Sequence, residues 1–200
     1  KTMSGGVPDL NRVKLTIKSG NPFGLTGILS PLAQDNGVVF PYTPTIQFGF
    51  AANYGSFDTT HSLYPTNYFI NNPPPNINLT AAFTAQDTAD AEYSAAALHF
   101  FKTCTKMDFG AQRRATGGTP PPILNFSAYG MHAKNTPVII KSFNYTLTED
   151  VDYVSVNNMS SIPTYFIVSL DLAVQYSPSN VRRQFNITRY ANGSMLGGFL

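Results

Sequence analysis

The densest set of titratable side chains in this 200-residue chain is Glu149-Asp150-Val151-Asp152. Carboxylates this close can chelate Ca²⁺, or divide acid and nucleophile roles at a glycosidic bond. They stand between two strand patterns, where adjacent acids read first as solvent-facing turn residues. The histidines are His61, His99 and His132, and none lies at metal-ligand spacing from another or from an acid in a known pattern. His99 sits beside Phe100 in a helical stretch and reads as a packed or solvated residue. His61 and His132 fall in loops. The single cysteine, Cys104, excludes an intrachain disulfide and a thiolate metal cluster, and reads as a buried, inert thiol near a helix end. There is no Gly-x-Ser-x-Gly elbow and no phosphate-binding Walker loop. Trp is absent, which weakens a sugar-platform reading. The residues therefore offer no catalytic set, no cofactor site and no metal site, and the expectation is a non-enzymatic protein.

Nor does charge suggest nucleic acid or anionic lipid as a partner. The formal net charge is +2, and Arg113-Arg114 and Arg182-Arg183 are isolated pairs outside any basic stripe with spaced aromatics. Charged residues make up 12% of the chain, half of the usual share of about 25%. Asn, Ser, Thr, Gln and Tyr must then supply the polar surface. Low charge with many aromatics is the composition of contacted surfaces. Asn-x-Ser/Thr triplets at Asn78, Asn125, Asn144, Asn158, Asn186 and Asn192 follow from that Asn, Ser and Thr content. No apolar run approaches the ~18 residues that a spanning helix needs.

The elements that must position any surface are mostly strands. Alternation predicts strands over 13–17, 45–51, 77–84, 123–128, 138–147, 151–156, 165–176 and 181–190. In 45–51, Ile46, Phe48 and Phe50 share one face. The 165–176 segment is the clearest: Phe166, Val168, Leu170, Leu172, Val174 and Tyr176 form one face, with Ser169, Asp171 and Gln175 on a wetter one. It would span about 40 Å. Between residues 87 and 104 the period changes to a helical one. Ala89, Tyr93, Ala96, Ala97 and Phe100 share a face, acids come early and lysines late, as a helix dipole favours. Residues 53–75 are irregular, rich in aromatics, and end in Pro73-Pro74-Pro75, so they read as an arm laid on a neighbour. Gly117 to Pro122 is a second rigid breaker. The fold class expected is mainly β: an antiparallel sandwich or barrel with one flanking helix and long loops. Residues 1–37 read as an extended N-terminal arm or loop, and 38–200 as the β domain.

Five stretches in order carry a resemblance. They are FPYTPTI (40–46), AEYSAAALHFFKTCTKMDFG (91–110), GTPPPILNFSAYG (118–130), TLTEDVDYV (146–154) and GSMLGGFL (193–200). Together they resemble the baseplate tail-tube cap, or tube-initiator, proteins of contractile-tailed bacteriophages. The resemblance implies a tail-tube β-sandwich or barrel whose strands join those of five other copies in a homohexameric ring. It implies a seat on the baseplate hub, a ring of tail-tube protein added on top, and a lumen carrying the tape-measure protein and then DNA without binding them specifically. It implies a virion location, assembly in the host cytoplasm, and no membrane insertion. The main tube subunit is the neighbouring possibility, and a secreted β-sandwich binding module is the alternative of another class. The wetter face of 165–176, with Asp171, is the expected lumen lining.

Overall fold

The computed structural model describes residues 11–18, 23–108, 118–130, 132–149, 151–156, 159–195 and 197–200. Arg113-Arg114, Asp150 and Asn158 lie outside the described residues. The strands are β1 (Lys14–Ile17), β2 (Gly37–Val39), β3 (Thr45–Gly49), β4 (Asn53–Phe57), β5 (Thr66–Asn71) and β6 (Asn76–Thr84). After helix α1 (Thr88–Cys104) come β7 (Leu124–Ala128), β8 (Ala133–Leu147), β9 (Tyr153–Val156), β10 (Met159–Pro163) and β11 (Tyr165–Val174). Two short helices follow, α2 (Pro178–Gln184) and α3 (Ile187–Ala191).

Seven strands form one antiparallel sheet in the order β2-β1-β7-β8-β11-β6-β3, and β4-β5 and β9-β10 are separate two-stranded ribbons. The protein is mainly β, as expected. The reason is visible in β6 and β11, whose side chains alternate between apolar and polar along their whole length. Ile77, Leu79, Ala81 and Phe83 on β6 are buried, as are Phe166, Val168, Leu170, Leu172 and Val174 on β11. The register pairs Leu79 with Leu170 and Phe83 with Phe166, whose rings stack at 5.3 Å. Each such burial contributes about 1.5–3 kcal/mol. The opposite edges, β2 and β3, do not pair with each other, so the sheet is open within one chain.

Helix α1 covers the apolar face. Its start is set by Asp87, whose carboxylate accepts a hydrogen bond from the Asp90 backbone N–H at 2.8 Å. Ala91, Ala96, Ala97, Phe100, Phe101 and Cys104 are buried. Ala89, expected on that face, is exposed in the first turn. Phe101 meets Phe40 and Phe143 in the core. Tyr93 ties the helix to β2: its hydroxyl donates to the Val39 carbonyl and accepts from the Val39 N–H, both at 2.8 Å.

Several expectations need correction. The strand expected over 181–190 is instead α2 and α3. Pro178 sits in the first turn of α2, and the Asn186 side chain caps α3 by accepting from the Thr188 and Arg189 N–H groups. The chain thus has three α-helices among the described residues, not one. β3 ends at Gly49, and Phe50, expected in its apolar face, is exposed beyond it. β8 begins five residues before the expected start, at Ala133, and β11 stops at Val174. The described part of the segment before residue 38 is woven into the sheet: β1 lies between β2 and β7, and Leu15, Leu29 and Leu32 are core residues. Gly37 permits this, because a Cβ there would stand 2.2 Å from the Leu15 carbonyl oxygen.

Candidate interaction surfaces

Among the described residues, those that could do chemistry are not brought together. His61 sits in a left-handed turn between β4 and β5, His99 is exposed on α1, and His132 lies edge-on to the Tyr129 ring at 6.3 Å. Glu149 and Asp152 lie in the connection from β8 to β9, and the Asp152 carbonyl accepts from the Thr164 N–H. Among the described residues, no group of three His, Cys, Asp or Glu side chains is placed to hold a metal ion. Cys104 is buried, and burial pushes its thiol up to about 12, so it carries no thiolate near neutral pH. Arg183 on α2 donates locally, to the Ser179 carbonyl and the Asn180 side chain. A groove of about 390 Å³ beside α1 is lined by Arg12, Asp35, Asp90 and Glu92. Tyr93 closes it, its hydroxyl pushed up to about 12 by burial. No described helix is long and apolar enough to cross a membrane.

Three surfaces remain. The first is the sheet face turned away from α1. The register aligns Thr45, Thr80, Ser169 and Asn144 in one row across β3, β6, β11 and β8. It aligns Gln47, Asn78, Asp171 and Ser142 in the next. All eight residues but Asp171 are exposed. The rows therefore make a wet surface of polar side chains, neutral except at Asp171. Lys141 and Asp171 form an ion pair on it, at 3.9 Å. Lys141 is the extra residue of a bulge in β8: Ser142 pairs with Asp171, Ile140 pairs with Leu172, and Lys141 pairs with neither. The second carboxylate oxygen of Asp171, Oδ1, is buried without a hydrogen-bond partner.

The second surface is the β4-β5 hairpin. The expectation of an irregular arm is corrected here to a paired ribbon, with Asn53–Asn71 and Phe57–Thr66 at its limits. Every residue except Gly55 is exposed. Tyr54 pairs with Phe69 on one face, their rings edge to face at 5.9 Å. Tyr68 lies on the other face, over Gly55, where a Cβ would stand 2.6 Å from the ring. Leu63 and Tyr64, at the tip, are 85% and 76% exposed. Aromatics on both faces, covered by neither the sheet nor the helix, mark a surface made for contact. The sequence signalled it through its aromatic density.

The third surface went unread. At the far end of the sheet, where β8 finishes beside Phe166, Tyr145 and Leu147 are exposed, and so is Tyr153 at the start of β9. They follow a strand pattern that also describes core residues, so no local signal separates them. Lys102 of α1 lies 4.9 Å above the Tyr145 ring.

No family model and no curated protein matches this chain. Among solved structures, it is similar to a chain from the tail of an empty GTA particle, determined by helical refinement in C6 symmetry. The likeness covers 84% of this chain and 92% of that one, at 10% identity and a TM-score of 0.39.

Proposed function

We propose that this chain is a structural subunit of a contractile phage tail. In this reading six copies form a ring in the baseplate that joins the central hub to the tail tube and nucleates tube assembly. The observation that carries it is the neutral polar face of β3, β6, β11 and β8. A conduit for a passing polyanion should neither repel it nor hold it, and rows of Thr, Ser and Asn do neither. The five ordered sequence stretches and the open β3 edge of the sheet point the same way, since joining strands between copies satisfies edge groups that a lone chain leaves bare. The reading assigns no catalytic residue, metal or cofactor; the work is done by surfaces.

The test is assembly. Purified protein at high concentration, viewed by negative-stain microscopy, should form single rings, alone or on added hub protein. Long tubes grown unaided would instead identify the main tube subunit. A monomer unchanged by concentration or hub would overturn both.

A further inference from the structure

We infer that Tyr129 is a positioning residue for the open edge of the main sheet, β3. The inference deepens the ring reading and rests on it only for the use of that edge; the anchoring itself is a property of the single chain. It starts from a residue in the wrong place. Tyr129 and Gly130, in the connection that follows the Ala128–Ala133 pair of β7 and β8, have φ of 49° and 63°. Successive left-handed residues in a hairpin connection favour Asn-Gly. Among the described residues, the other non-glycine residues with positive φ are Asn36, Asn135 and His61, types that visit this region most readily. A bulky tyrosine there is held against its backbone preference, and such strain marks a side chain kept for what it reaches. The Tyr129 hydroxyl reaches across the chain and donates to the Pro44 carbonyl at 2.8 Å.

Pro44 is the residue before β3, and it is buried. β2 and β3 stand at opposite edges of the seven-stranded sheet, yet residues 40–44 alone join them. The path from Val39 to Thr45 can span at most about 21 Å, while a flat sheet of this size is about 29 Å across. The sheet therefore curls, and the 40–44 link is a strap between its edges. Pro41 and Pro44 bring no N–H to hold that strap. Two tyrosine hydroxyls hold it instead: Tyr42 shares a hydrogen bond with the exposed Thr84 side chain at 2.9 Å, and Tyr129 takes Pro44. The two edges are then treated oppositely. At β2, the Tyr93 hydroxyl occupies both the N–H and the carbonyl of Val39. At β3, which pairs only with β6, Tyr129 fixes where the strand begins and leaves its outer side bare. An edge strand with one neighbour opens easily. A fixed start keeps Thr45–Gly49 in register for a second copy.

Two variants of the full chain test this. Tyr129→Phe removes the hydroxyl and keeps the ring. Tyr129→Asn also removes it, but gives the turn the residue it favours. In both, amide exchange should become on the order of fivefold faster across β3, the effect of losing one hydrogen bond, and stay within about twofold of wild type in β11. Melting temperature should hold or rise in Tyr129→Asn, so the body gains while the edge loosens. Exchange accelerated equally in β3 and β11 would mean general destabilisation and overturn the proposal. So would unchanged exchange in β3. In the assembly assay, both variants should need several-fold more protein to form rings. Rings formed at the wild-type concentration would overturn the positioning role and leave the ring reading standing. A wild-type chain that forms no ring would sink the ring reading, and the exchange contrast would still decide whether Tyr129 anchors the edge.

Discussion

The tripeptide Tyr-Phe-Ile occurs twice, as Tyr68-Phe69-Ile70 in β5 and as Tyr165-Phe166-Ile167 in β11. In β11, Phe166 is 1% exposed, stacked on Phe83; in β5, Phe69 is 54% exposed and meets only Tyr54 of its own ribbon. The local sequence is the same and so is the strand conformation. What differs is whether a second layer lies above. In β11 that layer is α1, and the apolar side chain stabilises the monomer. In β5 no layer from the same chain arrives, and the apolar side chain stays exposed.

The comparison breaks most readily at the two phenylalanines. Phe166→Ala should cost about 3–5 kcal/mol in urea unfolding, and Phe69→Ala no more than ~0.5 kcal/mol, while weakening assembly. Equal losses would show that the hairpin is part of the monomer's core. A second test uses alkali. Burial raises the folded-state pKa of both Tyr93, from 10.0, and Cys104, from 9.0, to about 12. Each therefore favours folding while protonated. That stability is complete below pH 9 and is lost progressively as pH rises from 9 to 12. Melting temperature followed across that range should fall, and Cys104→Ala should flatten the part between 9 and 10. Next, Asp87→Ala should cost about 1 kcal/mol by removing the cap of α1, again in the body only. Smallest is Lys141→Ala, where an exposed pair at 3.9 Å should change unfolding by less than ~0.5 kcal/mol.

The body of the fold was legible where one face is buried. In β6 and β11 every second residue is apolar because every second residue meets the helix layer, so period and burial coincide. Helix α1 announced itself through Asp87, alanine density and late lysines. Legibility failed where local and tertiary signals part. Val181, Phe185 and Ile187 suggested a strand, yet none is buried, and Pro178 and Asn186 set two short helices instead. The start of β8 was hidden by Asn135, with φ of 52°, and by Pro137. The candidate surfaces divide the same way. The aromatic arm was visible as composition, but its pairing was not, because an exposed ribbon has no buried face to impose alternation. The Tyr145 and Leu147 patch differs from the core only in what fails to cover it.

Lys141 has a consequence beyond its ion pair. β8 holds one residue more than its pairing with β11 uses, and a strand with such a surplus coils more tightly than its neighbours. Deleting Lys141 would keep Phe143 and Tyr145 on the inner side and leave a straighter strand. In an assembly built by laying sheets side by side, the arc of each sheet sets how many fit in a circle. In the proposed ring, one lysine outside the strand ladder would then act as a gauge of its size.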